Sequence, residues 1–224
     1  MTTFQRARSE EQREIRRRAI LDTAAAMLDE MSVTALSLNE LSRRVGLAKS
    51  NVLRYFESRE AVLLELLDRD WQQWNAALAD QLDASVTHDA PPIQRGEQFA
   101  AVVAHSLEQH RVLCDLLSAQ AGVLEHNVSP DVAARYKRAA LDNVAALAAL
   151  ARRHLPELGV HADQFCAQAI MVSGAVWTHA RPSAAMRAAY EADPSLAALR
   201  MDFTTTLQEM LTTLIAGTLT RAEH

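Results

Sequence analysis

The run "LAKSNVLRYF", residues 47–56, brings Lys49, Ser50, Asn51, Arg54 and Tyr55 close together along the chain. Each is a hydrogen-bonding side chain of a kind that reads or holds a polyanion. Arginine can donate twice to guanine and asparagine can pair twice with adenine. Lysine, with serine and tyrosine hydroxyls, suits phosphate oxygens. On a helix turning about 100° per residue, with Ser50 at zero, Arg54 falls at about 40°, Asn51 at about 100° and Tyr55 at about 140°. Val52, Phe56 and Leu53 fall at about 200°, 240° and 300° on the same wheel. The segment therefore has a polar arc and an apolar arc. A solvated surface helix has the same pattern, so the chemistry depends on what holds the segment in place.

The preceding residues supply a frame. "SLNE" at 37–40 has the form of a capping box, in which Ser37 caps a helix and Glu40 reaches back to it. Leu38, Leu41 and Val45 give that helix an inner face, and Gly46 suits the left-handed position just past its end. Leu47 and Ala48 make a turn into "KSNVLRYF". A helix, a glycine turn and a second amphipathic helix form the helix-turn-helix pattern, whose second helix enters a major groove. A longer helix over residues 9–31 precedes it, with Ile20, Ala24, Met27, Leu28 and Met31 on one face. Ser58 caps a fourth helix running to about residue 83, with Leu63, Leu67, Trp71, Trp74 and Leu78 as its stripe.

The 224 residues are 49% apolar and 23% charged, with only six glycines and six prolines. This is the composition of a globular helical chain. The expected fold is all-α: a three-helix head with a helix-turn-helix at residues 1–57, and a helical body at 58–224. Body helices are expected at 93–109, 111–126, 130–154, 162–180, 184–191 and 195–220. The net charge is −5, yet residues 1–56 hold ten basic and seven acidic side chains, leaving −8 on the remainder. A basic head on an acidic body suits an anionic partner at one end. Cys114 and Cys166 are far apart and read as small buried hydrophobes. No apolar signal core or bilayer-length run is present, so a cytoplasmic protein is expected, with no membrane partner.

"AILDTAAAMLDEMSVTALSLNELSRRVGLAKSNVLRYFESREAVLLELL", with the "YF-x-S-[KR]-E" run at Tyr55, Phe56, Ser58, Arg59 and Glu60, resembles the DNA-binding head of the tetracycline-repressor (TetR) family of transcriptional regulators. The resemblance covers about residues 13–67. It implies a homodimer that reads a palindromic operator in double-stranded DNA. Carried over by position, Ser50, Asn51 and Arg54 face base edges and Lys49 and Tyr55 hold phosphates. Ser37 and Arg59, at helix N-termini, sit near the backbone. Arg6, Arg8 and Arg13 either form an arm over the DNA or keep the chain soluble. Two residues depart from the family pattern. Ala48 replaces a serine cap worth about 1 kcal/mol. Leu53 replaces a phosphate-touching tyrosine and is expected to lie in the core instead.

For the body, the resemblance implies a pocket for a small-molecule effector and a dimer face on the last long helices. Trp74, Phe99, His105, Cys114, Tyr136, Met171 and Trp177 are residues of the kinds that line pockets, and equally of the kinds that fill cores. Phe165, Ala169, Val172 and Val176 form one stripe, and Phe203, Leu207, Met210 and Leu214 another. Both suit either a dimer face or burial within one chain. No catalytic constellation, phosphate loop or metal signature is present, so no cofactor, no metal and no enzyme activity are expected. The expected function is a repressor relieved by its effector. The alternatives are a ligand-responsive activator, or a helical ligand-binding module without DNA function.

Overall fold

The computed structural model describes residues 3–222, with side chains from residue 10 onward. All regular elements among the described residues are helical. They are α1 (Thr3–Glu30), α2 (Leu38–Val45), α3 (Lys49–Val52), α4 (Arg59–Ser85), α5 (Pro92–Gln109), α6 (Arg111–Ala119), α7 (Pro130–His154), α8 (Ala162–Ala180), α9 (Ala184–Ala192), α10 (Pro194–Ala197) and α11 (Phe203–Ala222). A π-helical turn, Gln120–Leu124, follows α6, and a 3-10 turn, Pro156–His161, follows α7. The chain divides into two compact units, Met1–Arg69 with Ala119–Lys137, and Asp70–Ser118 with Arg138–His224.

In the first unit, α1 packs on α2 and α2 on α3. The expected stripe of α1 is in place: Ile20, Ala24, Met27 and Leu28 are fully buried. Leu36, Leu41, Val52, Phe56, Leu63 and Leu67 close the same core. Burying each leucine contributes about 1.5–3 kcal/mol, which lets a helix as short as α3 persist although it could not stand alone. Helix α1 begins six residues earlier than the apolar pattern indicated, because the sequence of its first turns has no apolar stripe to mark them. Positions 6, 8 and 13 thus lie on α1. The side chains of Arg6 and Arg8 are outside the described residues; Arg13 is exposed.

In the second unit, α11 packs on α5 and α8. Gly96 permits the close approach of α5 to α11, since a Cβ there would stand 2.7 Å from Ile215 Cγ2. The expected helix over 195–220 is interrupted. It ends as α10 at Ala197 and restarts as α11, where Asp202 Oδ1 accepts the backbone N–H of Thr205 at 2.8 Å. An aspartate N-cap of this kind supplies the acceptor that a continuing helix would have supplied itself. The expected helix over 111–126 stops at Ala119 and continues as the π turn. Cys114 and Cys166 are buried and unpaired, and burial pushes both thiols up, Cys166 to about 12.

Candidate nucleic-acid interface

Helix α2 is closed at both ends by local chemistry. Ser37 Oγ accepts the Glu40 N–H at 3.2 Å, so half of the expected capping box forms. The other half does not. Glu40 turns to Arg43 and Arg44 instead, which donate to it at 2.6 Å and 3.0 Å. Two guanidinium donors outcompete one neutral backbone N–H, and they hold the Glu40 carboxyl down at about 2. At the far end Gly46 takes φ 73° and ψ 29°. Its N–H donates to the Arg43 carbonyl and the Leu47 N–H to that of Ser42, a Schellman closure. Ala48 begins α3 with no side-chain cap, as the sequence implied.

The recognition segment is one α-helical turn followed by a tight turn through Leu53 and Tyr55. Val52 and Phe56 are buried and define its inner arc. Lys49, Ser50, Asn51 and Arg54 are exposed, and Tyr55 is half-buried. Leu53, expected in the core, is 42% exposed. Its backbone is still helical, with its N–H on the Lys49 carbonyl at 3.0 Å, and from that position it belongs to the outer surface beside Arg54.

A residue that the spacing did not reveal fixes this segment. Arg17 of α1 donates from Nη1 to the Tyr55 carbonyl at 2.9 Å. Its Nε donates to Glu65 at 2.5 Å, and its guanidinium lies 4.4 Å from the centre of the Phe56 ring. The partner positions lie 38 and 48 residues away, beyond any local pattern. Arg59 is also engaged inward. Its Nη1 donates to the Leu36 carbonyl at 3.1 Å, and its Nη2 pairs with Glu60 at 2.9 Å. These contacts make it a brace for the loop before α2. Ser37 keeps its hydroxyl proton available, because Oγ serves α2 as an acceptor.

A second brace joins the end of the recognition segment to residues far along the chain. Glu57 accepts the Ser129 N–H at 2.6 Å and the Ser129 hydroxyl at 2.8 Å. Ser129 in turn caps α7, accepting the Val132 N–H at 3.3 Å. These two hydrogen bonds hold the Glu57 carboxyl below its ordinary range. Among the described residues, Lys49, Ser50, Asn51 and Arg54 have no side-chain partner, whereas Arg17, Arg43, Arg44 and Arg59 are all paired. Four guanidiniums of the head are thus spent on structure, while the polar groups of the recognition segment stay open, as do the exposed Arg13, Arg16 and Arg18 of α1.

Two family models match the chain. One, described as "Bacterial regulatory proteins, tetR family", matches residues 20–66; the other, "Tetracyclin repressor-like, C-terminal domain", matches residues 68–222. The chain belongs to the TetR family. It therefore has the all-α architecture with an N-terminal helix-turn-helix of that family. A curated relative, the HTH-type transcriptional regulator EthR of Mycobacterium tuberculosis, is 40% identical over 60 residues, a match spanning 27% of this chain and 28% of the relative. Among solved structures, the fatty acid degradation regulator FadR from Bacillus halodurans is similar, with a TM-score of 0.53, 12% identity and coverage of 89% and 97% of the two chains. A TetR-family regulator from Mesorhizobium loti MAFF303099 aligns with a TM-score of 0.52, 14% identity and coverage of 93% and 97%. At these identities the two structures speak to fold alone.

The body residues of this TetR-family chain do not converge on one place. Trp74, Phe99 and Cys114 are buried in the second unit, and Trp74 Nε1 donates to Ser106 Oγ at 3.0 Å. Tyr136 is buried in the first unit, its hydroxyl without a partner among the described residues. Trp177 is buried with its indole N–H on Asp115 at 2.7 Å, and lines a cavity described below. His105 is exposed and bonded to Gln109, and Met171 is 67% exposed. The two C-terminal stripes also divide. Phe165, Ala169, Val176, Phe203 and Leu207 are buried within their own unit. Each helix had one apolar stripe facing inward and part of a second facing out, and the sequence did not separate them. Val172, Met210 and Leu214 keep accessible surface, with Met171 beside them on α8. Among the described residues no helix is long and apolar enough to cross a membrane.

Proposed function

We propose that this TetR-family chain binds a palindromic operator as a homodimer and represses transcription until a small-molecule effector releases it. Residues 1–57 carry the DNA-binding function, and 58–224 the effector-binding and dimerisation functions. The observation that carries the reading is the unpartnered arc of Lys49, Ser50, Asn51 and Arg54 on a segment braced from behind by Arg17. Arg54 and Asn51 are assigned to base edges. Lys49, Ser50, the half-buried Tyr55 and the Ser37 hydroxyl are assigned to phosphates and base edges near them. The dimer face is assigned to the accessible residues of α8 and α11, Met171, Val172, Met210 and Leu214. The similarity of the head to EthR, an HTH-type transcriptional regulator, supports the DNA assignment. The proposed site of action is the cytoplasm.

Selection of bound duplexes from a random DNA pool tests this. The expected result is an enriched palindrome with the wild-type chain, blurred at one position per half-site with Arg54→Ala. That substitution should cost about 1–3 kcal/mol of binding. Enrichment of one unpaired half-site would overturn the dimer, and unchanged preference in Arg54→Ala would overturn the assignment of the arc.

A further inference from the structure

At the C-terminal end of α8 the second unit has a surface cavity of about 370 Å³ lined by Ala180, Arg181, Pro182, Arg187, Arg200 and Met201. No carboxylate lines it. A neighbouring cavity of about 340 Å³ shares Ala180, Arg181 and Met201 with it, and is walled further by Trp177, Phe203, Arg111, Glu108 and Asp202. Thirteen basic residues lie in 57–224, and four of them stand around these two cavities, in a part of the chain with a net charge of −8.

The arrangement differs from that of three other body arginines. Arg95, Arg152 and Arg153 are each paired with an acid. Arg181, Arg187 and Arg200 have no ion-pair or hydrogen-bond partner among the described residues. Like charges around one small cavity repel, and an anion bound between them removes that repulsion. The guanidinium fork matches a carboxylate or phosphate with two parallel donors. Arg181 is held in place: its guanidinium lies 4.6 Å from the centre of the Trp177 ring. Trp177 is itself fixed by its N–H on Asp115 and by an edge-to-face contact with Phe203 at 4.8 Å. The cationic, carboxylate-free end of the groove thus adjoins an end with an aromatic wall, Trp177 and Phe203, where the charges of Glu108, Asp202 and Arg111 are mixed, and the volumes suit a small organic molecule.

We propose that this groove binds a small soluble organic anion, a carboxylate or phosphate ester with an aromatic or apolar body. Arg181, Arg187 and Arg200 hold the charged end, and the body lies against Met201, Phe203 and Trp177. Its regulatory meaning rests on the effector response proposed above, because α8 and α11 carry both the groove and the proposed dimer face. Its occupancy does not depend on DNA, and the test uses that.

Calorimetric titration of the full chain at low salt would compare 2-naphthoate, 2-naphthol and inorganic phosphate. Naphthoate is expected to bind at least about tenfold more tightly than either of the others, since only it offers both charge and body. The triple variant Arg181→Gln, Arg187→Gln, Arg200→Gln should lose at least about tenfold in naphthoate affinity with its ligand-free thermal midpoint not lowered. Arg200→Gln alone, on the exposed segment before α11, should give a smaller loss if the triple variant fails to fold. Trp177→Phe should weaken naphthoate and leave phosphate unaffected. Equal binding of naphthol and naphthoate, wild-type affinity in the arginine variants, or no naphthoate heat up to about 10 mM would each overturn the site. Naphthoate heats in a chain that selects no DNA sequence would overturn the regulator reading and leave the anion site standing.

Discussion

Arg17 and Arg54 belong to the same compact unit and have the same side chain, yet the structure uses them in opposite ways. Arg17 is turned inward, with its donors on Glu65 and on the Tyr55 carbonyl and its face on Phe56. Arg54 is turned outward and donates to nothing among the described residues. The second unit repeats the contrast, with Arg95 stapled to the His154 carbonyl at 2.6 Å while Arg181, Arg187 and Arg200 face a cavity. The comparison teaches that an arginine count says little about anion binding. What matters is which guanidiniums the fold has already satisfied, because an engaged arginine must give up partners before it can take a phosphate.

The sharpest way to break this comparison is Arg17→Ala. It removes charge-assisted hydrogen bonds and a cation–π contact from a partly buried site, at an expected cost of about 2 kcal/mol of stability. DNA affinity should fall for every sequence alike, because the segment loosens while its base-reading groups remain. Denaturant melts beside binding curves on several duplexes would check this. Wild-type stability would show that the brace is idle. Gly46→Ala comes next. No atom lies within 4 Å of the added Cβ, so the whole effect is the left-handed backbone, roughly 1–2 kcal/mol. A thermal melt would read it, and an unchanged midpoint would mean that the α2–α3 turn relaxes to a different closure.

Lys49→Ala should leave the fold intact. It should weaken all DNA sequences similarly and lower the slope of log affinity against log salt by about one per subunit. Affinity measured across a salt series decides this, and an unchanged slope would remove Lys49 from the phosphate contacts. The smallest effect is expected at Glu57. Its folded pKa lies below its unfolded value, held there by the Ser129 N–H and hydroxyl. Its contribution is therefore fully present above the unfolded value and lost as pH falls through the folded one. Exchange protection of the Ser129 amide, corrected for its intrinsic pH dependence, should decline on acidification in the wild type. In Glu57→Gln it should be lower at neutral pH and flat across that range. Identical profiles would mean that the bond contributes nothing in solution.

Much of the first unit was legible in the sequence because its signals are local. Ser37, Gly46 and the inner positions Leu41, Val52 and Phe56 each act within a few residues, and each takes the place that its type and spacing require. Two expectations there failed: Glu40 chose Arg43 and Arg44 over the cap, and Leu53, although apolar and in helical register, found no neighbour to cover it. The second unit was less legible. Phe165 and Met171 lie on the same helix and both are apolar, but one is 1% exposed and the other 67%. Hydrophobic periodicity says that a face is apolar, and it cannot say which partner covers it.

The sequence by itself determined the helical class, the helix-turn-helix frame, and the polar arc of Lys49, Ser50, Asn51 and Arg54. Helix capping, left-handed turns and amphipathic spacing act over one or two turns of chain, so they can be read in order along it. Only the tertiary structure decided which arginines are free, that Glu57 closes on Ser129, and that Arg181, Arg187 and Arg200 meet around one cavity. Those facts depend on pairs of residues brought together from distant positions by packing, and a linear pattern carries no record of such meetings.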